Sequence, residues 1–420
     1  MMINIFLIKT YGKASRYGIG SYIDTVVGFL SKYADINVFV VHINANLHKG
    51  VTYLDNGKNR DIFITFETPG AGSFAKDEFC ISELQAKALY SILYSFMRGA
   101  DVSIIHLNSV LEAHLAETAK EYDHCTVVYT MHVLLWQVFY KNNWRQFVSE
   151  LEDKLENNHI FSIETEKRLC VLADNIVCLT SEAVNFVGQY YGIPLSKIKL
   201  LHNVIDTRNI SVLSSPQKEI LRRKFGFRIE QVIVIFPGRL MHEKGLDLAI
   251  DAFIRLQKRN VDFHFLICGD GNLAHYVDRC RAIVGKISFS GFTSKEVLYE
   301  FYQIADIGIL PSFIEQSSFS TLEMMAHGLP VIASDTDAFS QFKQREESMI
   351  HITTTPAQGG RYMDVDLLEN SLARVIEDAQ YRRKIGGNAF KLIADSFSLH
   401  NLDVTSMYGP YVTEQIKTLS

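Results

Sequence analysis

Short apolar runs rich in β-branched residues alternate with helical patterns along most of this chain, and no other feature constrains its fold as strongly. The first series of runs lies at 3–8, 36–43, 103–107, 127–131, 175–179 and 199–202, and the second at 232–236, 263–268, 287–290, 307–310 and 331–334. Apolar strands between helices are typical of a parallel sheet that is covered on both faces. Two series therefore predict an α/β chain with two Rossmann-like parallel sheets.

A polar stretch at 207–219, TRNISVLSSPQKE, separates the two series and is the predicted linker. The chain has 420 residues, which is enough for two or three domains of ordinary size, each with its own core. We therefore predict a first domain at 1–206 and a second domain at 207–395.

Composition and charge argue against several classes of protein. Apolar residues make up 47% of the chain and charged residues 21%, which is typical of a globular protein. Lys and Arg number 42 against 47 Asp and Glu, and this net charge of −5 argues against nucleic-acid binding as the main activity. The cysteines form no CxxC pair, the first residues lack a signal-peptide pattern, and no apolar run approaches the ~20 residues of a membrane span. We expect a cytoplasmic protein.

The segment 236–245, FPGRLMHEKG, joins an apolar strand to a helical pattern. Gly238 and Gly245 permit a tight turn between the two elements. Arg239 and Lys244 bring two cations to this turn, and a helix N-terminus with nearby cations is a natural site for a diphosphate. The alternative interpretation is a solvated turn with ordinary basic residues.

The segment 311–330 carries two carboxylates around a predicted helix start. Glu315 precedes the helix, and Glu323 follows eight positions later inside it. Ser317 and Ser318 are residue types that commonly begin helices, and the free backbone N–H groups there suit a phosphate. Carboxylates accept hydrogen bonds from vicinal hydroxyls such as those of a ribose or a hexose. The alternative is that Glu315 is an ordinary loop carboxylate and Glu323 lies on a helix surface.

Three further places are weaker candidates. His132 ends an early strand, at the edge where folds of this class bind ligands, although a lone histidine is often a packing residue. The segment 16–22, RYGIGSY, carries Gly18 and Gly20 but lacks the third glycine of a dinucleotide-binding motif. The segment 202–206, HNVID, either faces a ligand or is a turn that closes a strand.

Two D-x-D triplets, at 335–337 and 364–366, are the candidates for a metal site. Nucleotide-sugar enzymes of another fold hold a divalent cation with such a triplet. Triplets this short also arise by chance in a chain of this length, so we expect no metal.

Residues 132–172 are predicted to form a long helical segment between two strands. Aromatic residues recur there at spacings of three and four, which places on one helix face Trp136, Phe139, Tyr140, Trp144 and Phe147. Three interpretations compete. This face packs on its own domain, lines a groove for a lipid-linked or peptide acceptor, or lies on a membrane surface with Lys141 and Arg145 near lipid phosphates.

In their order and spacing, these motifs resemble the second domain of the retaining glycosyltransferases of family GT4, which have the GT-B fold. The resemblance is carried by GRLMHEKG at 238–245, ICGDG at 267–271, SGF at 290–292 and the long segment at 311–335. It implies two Rossmann-like domains that face each other across a cleft. It also implies that the final segment, 396–420, crosses back to the first domain.

The resemblance is weaker in the first domain, where it rests on the two glycines of 16–22, on TMH at 130–132 and on HNVID at 202–206. The chain also departs from the family pattern. Ser318 and Val204 stand where the family usually has glycine, and Ile19 interrupts the usual glycine pair. These departures concern the acceptor side more than the donor side.

The resemblance implies roles for residues on the donor side. Arg239 and Lys244 would hold the donor diphosphate, Glu323 would bind the ribose hydroxyls, and Glu315 would contact the donor sugar. The other residues that it implies as donor-binding are Gly238, then Gly291 and Phe292 at the nucleobase, and Ser317, Ser318 and Phe319, whose backbone N–H groups would face the phosphate.

Two elements of the first domain have implied roles as well. His132 would reach the donor sugar near its anomeric carbon. The loop with Gly18 and Gly20 would pass close to the donor phosphate or the acceptor.

The activity that the resemblance implies is a retaining, metal-independent transfer of a sugar from a nucleotide-diphosphate sugar, with a UDP-sugar as the first expectation. The nucleotide-sugar is a substrate, and no cofactor is expected. The acceptor stays open between a glycan, a lipid-linked glycan, a peptide and a small molecule, and the segment 136–147 is the candidate for peripheral contact with the inner face of a membrane. Two alternatives are an epimerase or inverting GT-B enzyme, and a catalytically degenerate GT-B module that serves as a partner or scaffold.

Overall fold

The computed structural model describes residues 1–10, 18–44, 50–55, 57, 59–66, 82–153, 157–208, 210–345, 347–357 and 360–417. The chain forms two compact units. The first unit comprises Met1–Phe139, Trp144–Asn203 and Leu399–Ser420, and the second comprises Tyr140–Asn143 and Val204–Ser398. Apart from the short segment Tyr140–Asn143, the chain therefore passes from the first unit to the second after residue 203 and returns to the first after residue 398. The sequence suggested boundaries after residues 206 and 395.

Eight strands form the sheet of the first unit: β1 (Ile3–Thr10), β2 (Ile36–Ile43), β3 (Gly50–Asp55), β4 (Arg60–Thr65), β5 (Val102–Leu107), β6 (Thr126–Met131), β7 (Asn175–Cys178) and β8 (Ile198–Leu200). Their order across the sheet is β3-β4-β2-β1-β5-β6-β7-β8. Neighbouring strands are parallel except β3 and β4, which pair antiparallel at one edge.

Six strands form the sheet of the second unit: β9 (Val232–Pro237), β10 (Phe263–Cys268), β11 (Ile287–Gly291), β12 (Ile307–Leu310), β13 (Val331–Ser334) and β14 (Ile350–Ile352). Their order is β11-β10-β9-β12-β13-β14, and all the pairs are parallel. A separate antiparallel hairpin consists of β15 (Thr354–Ala357) and β16 (Gly360–Met363).

Helices follow most of the strands. Those of the first unit are α1 (Gly18–Leu30), α2 (Glu83–Met97), α3 (Ala113–Tyr122), α4 (Leu135–Tyr140), α5 (Trp144–Glu152), α6 (Asn158–Leu172) and α7 (Ser181–Gln189). Those of the second unit are α8 (Ser215–Lys224), α9 (Leu246–Lys258), α10 (Leu273–Arg279), α11 (Lys295–Ile304), α12 (Phe319–Ala326), α13 (Asp337–Ser340), α14 (Val365–Glu377) and α15 (Ala379–Ser396). The final segment adds to the first unit α16 (Val404–Tyr408) and α17 (Pro410–Lys417).

The central strands of both sheets are buried because their residues are almost all apolar. Ile5 of β1 and Phe236 of β9 are fully buried, as parallel strands covered on both faces require. Helix α9 covers its sheet with an apolar face that recurs every three or four residues, at Leu246, Ala249, Ile250, Phe253 and Leu256. The structure thus confirms the predicted α/β fold with two parallel sheets.

Two strands of the first sheet, β3 and β4, were not predicted. Most residues of β3, GVTYLD, are exposed, and β3 pairs with β4 at the edge of the sheet that the described residues form. An edge strand without a buried face needs no continuous apolar run, so its sequence lacks the signal that marks the central strands.

The predicted long helical segment at 132–172 is wrong, because the chain forms three separate helices there, α4, α5 and α6. The first break falls at Lys141 and Asn142, whose φ angles of 50° and 64° are left-handed and cannot continue a helix. Trp136 and Phe147 are buried. The ring of Trp136 stacks with Phe186 of α7 at a centroid distance of 5.9 Å, and the ring of Phe147 packs at a tilt against the same side chain at 6.2 Å. These rings therefore pack on their own unit. Among the described residues, no helix is both long and apolar enough to cross a bilayer.

Candidate donor site and the His132 network

Three loops of the second unit meet where β9, β10 and β12 end. Gly245, with a φ angle of 70°, lies so close to the loop after β12 that a Cβ atom would be 2.0 Å from the carbonyl oxygen of Pro311. Gly269 likewise lies against the loop after β9, where a Cβ would be 1.9 Å from the oxygen of Gly238. The backbone N–H of Phe313 donates to the oxygen of Glu243 at 2.9 Å. Ligands of α/β folds bind at this carboxyl edge of the sheet.

The two predicted cations of the turn after β9 have different surroundings. The guanidinium of Arg239 is half-buried, and among the described residues it has no hydrogen-bond or ion-pair partner. Lys244 contacts a carboxylate instead, since its Nζ lies 2.6 Å from Oε2 of Glu315. These two side chains are only 17% and 13% exposed, so water screens their attraction weakly. The structure thus brings together two residues that the sequence separates by 71 positions.

Helix α12 begins at this edge and is almost entirely buried. Ser318 is its N-cap, and the Ser318 Oγ accepts a hydrogen bond from the backbone N–H of Thr321 at 3.2 Å. This cap gives Ser318 a structural reason to stand where the resemblance leads one to expect glycine. The Oγ of Ser317 is buried without a hydrogen-bond partner among the described residues. Phe319, the first helical residue, is buried.

Glu323 is buried in α12 and is 4% exposed, so the alternative of a helix-surface carboxylate is wrong. Its oxygens accept hydrogen bonds from the hydroxyls of Tyr299, at 3.5 Å, and Tyr302, at 3.3 Å. The Nζ of Lys295 lies 3.4 Å from Oε1. Burial raises the pKa of Glu323 above its ordinary value, and the contact with Lys295 opposes that rise.

Sequence reasoning missed the three partners of Glu323. Lys295, Tyr299 and Tyr302 are spaced by four and three positions, so they lie on one face of α11. That spacing was a usable signal, but nothing local indicates that α11 lies beside α12.

The remaining predicted donor residues occupy the same end of the second sheet. The backbone N–H of Gly238 donates to the oxygen of Cys268 at 2.8 Å, and that of Gly269 donates to the oxygen of Gly291 at 3.0 Å. Gly291 has a φ angle of 68° and open space where a Cβ would be. The next residue, Phe292, is 57% exposed. Gly291 and Phe292 thus end β11 with an accessible ring.

In the first unit, Gly18 and Gly20 do not form the predicted loop, because both lie in the first turn of α1. The apolar face of α1, which includes Tyr22 and Ile23, is buried from its first turns onward, so the chain is helical at both glycines. Residues 16–17 of the predicted segment lie outside the described residues.

His132 directly follows β6 and is held on two sides. Its Nε2 lies 3.0 Å from Oδ1 of Asn108, at the end of β5. The ring of Tyr22 meets the imidazole edge to face, with centroids 4.7 Å apart. Burial lowers the pKa of His132 to about 3, so the ring is neutral at pH 7.

A chain of buried hydrogen bonds surrounds this histidine. The Nδ1 of His106 lies 2.8 Å from the hydroxyl of Tyr408 in α16, and its Nε2 lies 2.7 Å from Oγ1 of Thr130. Thr130 in turn lies 3.0 Å from the hydroxyl of Tyr22. Sequence reasoning missed this network, whose partners are up to 302 positions apart.

The remaining candidates have local structural partners. Asp335 accepts hydrogen bonds from the backbone and hydroxyl of Thr354, at 2.9 Å and 2.6 Å, and Asp364 caps α14. Asp206 pairs with Arg208 at 2.5 Å, and Val204 is buried. In the part of the chain that the structure describes, no three His, Cys, Asp or Glu side chains converge as metal ligands.

Solved structures of glycosyltransferases superimpose on almost the whole of this chain. Sucrose-phosphate synthase from Thermosynechococcus elongatus superimposes with a TM-score of 0.75 at 16% identity, covering 99% of this chain and 100% of that one. A glycosyltransferase from Rickettsia africae superimposes with a TM-score of 0.68 at 17% identity, covering 100% and 99%. At such identities the likeness establishes the fold, which is GT-B.

Two family models together match most of the chain. Residues 217–392 match Glycosyl transferases group 1, and residues 75–209 match Glycosyltransferase Family 4. The chain therefore belongs to the glycosyltransferases that this pair of models describes. The first model includes the three loops at the end of the second sheet, and the second model includes Asn108 and His132.

Curated relatives are similar over part of their length. An uncharacterized glycosyltransferase of Methanocaldococcus jannaschii is 25% identical over 231 residues, which are 54% of this chain and 57% of that protein. The alpha-D-kanosaminyltransferase of Streptomyces kanamyceticus is 24% identical over 227 residues, 53% of this chain and 56% of that one. The match thus spans little more than half the length of these relatives.

Proposed function

We propose that this chain is a retaining glycosyltransferase that moves a sugar from a nucleotide-diphosphate sugar to an acceptor without a metal ion. The observation that carries the proposal is the convergence of Arg239, the Lys244–Glu315 pair and the N-terminus of α12 at the end of the second sheet. Two cations and a helix N-terminus supply positive charge where a diphosphate would lie.

The chemistry of the proposal begins with the leaving group. Departure of a nucleoside diphosphate builds negative charge on its phosphate oxygens, and fixed positive groups stabilise that charge without reorganising. Arg239 is suited to this role because its guanidinium has no partner among the described residues. Lys244 would exchange part of its contact with Glu315 for a phosphate oxygen. Glu315 would then be released to accept hydrogen bonds from the hydroxyls of the donor sugar.

Glu323 is the proposed ribose ligand. A carboxylate can accept hydrogen bonds from the two vicinal hydroxyls of a ribose. The hydroxyls of Tyr299 and Tyr302 hold the carboxylate of Glu323 in place. Lys295 favours the ionised form of Glu323 against the opposing effect of burial.

Retention of configuration is the mechanistic part of the proposal. The residues assigned to the donor bind phosphate, ribose or sugar hydroxyls, and none of them is assigned as a sugar nucleophile. The transfer would then proceed through an oxocarbenium-like transition state on one face of the sugar. The leaving phosphate oxygen would accept the proton of the incoming acceptor, and His132 would orient the sugar.

A UDP-sugar is the proposed donor. The Anabaena protein HepE, solved in complex with UDP and glucose, superimposes with a TM-score of 0.67 at 17% identity over 99% of each chain. The names of the relatives refer to different sugars and products, as the kanosaminyltransferase and a mannosylfructose-phosphate synthase of Agrobacterium fabrum illustrate. The acceptor class of this chain therefore stays open between glycans, lipid-linked glycans, peptides and small molecules.

We further propose a cytoplasmic location and a peripheral contact with the inner face of a membrane. Trp136 and Phe147 are buried in their own unit, whereas Val138 of α4 is 42% exposed and Phe139 is partly exposed. Cosedimentation with anionic and with neutral vesicles tests this contact. A protein that stays in the supernatant with both would remove it from the proposal.

A donor panel tests the proposed function. Purified protein is titrated with UDP-, GDP-, ADP- and dTDP-sugars, while melting temperature and donor hydrolysis are measured with and without EDTA. We expect one donor to raise the melting temperature and to release slowly a sugar of the donor's own anomeric form, unaffected by EDTA. The Arg239→Ala variant is the matched control and should lose the hydrolysis.

Two results of the panel would contradict parts of the proposal. Activity that EDTA abolishes and Mn²⁺ restores would favour a metal site and remove metal independence. The absence of any shift or turnover with every donor, with and without candidate acceptors, would favour the degenerate module that serves as a partner.

A further inference from the structure

A buried asparagine directly after β5 contacts the ring of His132. Asn108 is 3% exposed, and its Oδ1 lies 3.0 Å from Nε2 of His132. Asn108 lies outside the sequence motifs that carry the family resemblance. Its contacts decide how the histidine can act.

We propose that Asn108 is a positioning residue that holds His132 as the Nε2–H tautomer, so that Nδ1 of His132 accepts a hydrogen bond from a hydroxyl of the donor sugar. This inference rests on the proposed function for the sugar, whereas the tautomer itself is a property of the free protein. The ring nitrogens of a neutral histidine differ, since one donates and the other accepts.

The orientation of the Asn108 amide follows from its second set of contacts. Its Nδ2 donates to the carbonyl oxygen of Ile8 at 3.0 Å and to that of His106 at 3.4 Å. Carbonyl oxygens accept and cannot donate, so the amide nitrogen must face them and Oδ1 must face His132. Because Oδ1 also only accepts, the proton on that side of the imidazole is on Nε2. The neutral ring therefore has its lone pair on Nδ1.

The backbone at Asn108 is held by a buried carboxylate. Oε2 of Glu112 accepts hydrogen bonds from the backbone N–H groups of Asn108, at 2.7 Å, and Ser109, at 3.2 Å. Oε1 of the same carboxylate accepts from the hydroxyl of Thr10 at the end of β1, at 2.8 Å. Asn108 is thus fixed through its side chain and through its backbone. A residue that orients another side chain must itself be held in one position.

The contacts of the His132 ring with Asn108 and Tyr22 do not involve a hydrogen bond to its Nδ1 atom. The ring of Tyr22 packs edge to face against the imidazole and is itself held by Thr130. Among the described residues, Nδ1 of His132 has no hydrogen-bond partner. A nitrogen with a lone pair selects a hydroxyl, which can donate, over a phosphate oxygen, which cannot. His132 would therefore orient the sugar and would not supply a proton to the leaving group.

Nitrogen-15 NMR of the free protein, labelled at histidine, tests the tautomer directly. His132 is assigned by comparison with the His132→Ala variant. We expect a protonated Nε2 and an unprotonated Nδ1 at pH 7, and the opposite pattern would overturn the inference. Because no donor is needed, this result does not depend on the proposed function.

Kinetics test whether Asn108 acts through His132. Asn108→Leu keeps the side-chain size and removes the acceptor, and we expect kcat of transfer or donor hydrolysis to fall about 10- to 100-fold. In the His132→Ala background the same change should have no further effect. An equal loss in both backgrounds would mean a structural role and would contradict the proposal.

Asn108→Asp separates the tautomer from packing. A carboxylate keeps the acceptor for Nε2–H but favours the protonated imidazole, which cannot accept at Nδ1. We expect kcat to be low at low pH and to recover as pH rises, whereas Asn108→Leu should not recover. A pH profile for Asn108→Asp identical to that of the wild type would count against the proposal.

A matched control is available in the same sheet. Asn4 of β1 is equally buried, donates to the oxygen of Phe96 at 2.9 Å, and accepts from Asn37 at 2.9 Å. Asn4→Leu should lower stability without changing the pH profile of kcat. A wild-type protein with the expected tautomer but without turnover would refute the proposed function and leave the assignment of Asn108 intact.

Discussion

The two units hold their candidate residues in different ways. In the second unit the groups are charged, as the Lys244–Glu315 pair is, and they are presented by loops that glycines allow to touch. In the first unit they are neutral: His106 is buried and His132 is half-buried, and hydrogen bonds from Asn108, Thr130 and Tyr408 hold them. The candidate donor site of the second unit consists of charged side chains on loops. The His132 network of the first unit consists of neutral side chains that form hydrogen bonds within and beside a sheet.

Under the proposed function, this difference would correspond to different roles for the two units. In the proposed function, charged groups at a sheet edge would stabilise a leaving diphosphate, whose charge changes during the reaction. Neutral histidines whose pKa is lowered by burial are poor bases, but they would keep a fixed geometry toward an uncharged sugar. The following predictions test whether the second unit depends on charge and the first on buried hydrogen bonds.

The largest effect is expected from Arg239→Ala in the second unit. Removing a fixed positive group from the developing phosphate charge should lower kcat/KM about 100- to 1,000-fold, or ~2.7–4 kcal/mol in the activation barrier. Arg228, an exposed arginine that pairs with Asp262, is the control. Steady-state kinetics with the donor found by the panel measures both variants. Near-normal turnover of Arg239→Ala would contradict the charge-based description of this unit.

Gly245→Ala should break the contact between two loops of the second unit. A methyl group would lie 2.0 Å from the oxygen of Pro311, at a left-handed φ angle, so we expect a loss of about 2–3 kcal/mol in the free energy of unfolding. Gly387 in α15 is the control because a Cβ there meets nothing within 4 Å, and its change to alanine should stabilise the helix by about 0.5–1 kcal/mol. Chemical denaturation compares the two, and equal effects would rule out the proposed close approach.

The first unit should be sensitive to acid. Burial, with a smaller electrostatic contribution from the neighbouring ring of His132, lowers the pKa of His106 to about 3 in the folded protein, against about 6.5 when unfolded. The unfolded chain binds the proton first, so this contribution to stability is complete above pH 6.5 and is lost as pH falls toward 3. It amounts to about 2 kcal/mol between pH 7 and pH 5.

His106→Gln tests this acid sensitivity. The variant should be less stable at pH 7 but should lose less stability than the wild type between pH 7 and pH 5, as urea denaturation at each pH would measure. His124→Gln, at an exposed histidine, should keep the wild-type slope. A steep acid loss in His106→Gln equal to that of the wild type would show that other groups cause it.

The smallest effect is expected from Tyr302→Phe, which removes one hydrogen bond to Glu323. A bond of this kind contributes about 0.5–1.5 kcal/mol, so nucleotide affinity should fall about two- to tenfold. Calorimetric titration with UDP measures the change, and 2′-deoxy-UDP is the control ligand. A loss that is the same for both ligands would argue that Tyr302 does not act through the ribose contact of Glu323.

How much could be predicted from the sequence differs between the units for a physical reason. The turn after β9 and the two glutamates with their spacing are patterns within short segments of the sequence, so they could be found without a structure. The structure places Arg239, Lys244, Glu315 and Glu323 at one end of the second sheet. The glycines at 18 and 20 were misassigned because a short glycine-containing segment is compatible with either a loop or a helix start. The break at Lys141 was missed because aromatic periodicity continues across it by chance.

The sequence by itself determined the α/β class and the two parallel sheets and indicated the candidate donor-side residues, because buried strands, helix faces and loop glycines leave signals within a few positions. Only the tertiary structure decided which groups touch. The Lys244–Glu315 pair, the tyrosines around Glu323 and the network from Tyr408 through His106 join residues 21 to 302 positions apart. Such contacts depend on how strands are ordered and how helices pack, and no local pattern of residue types encodes that order.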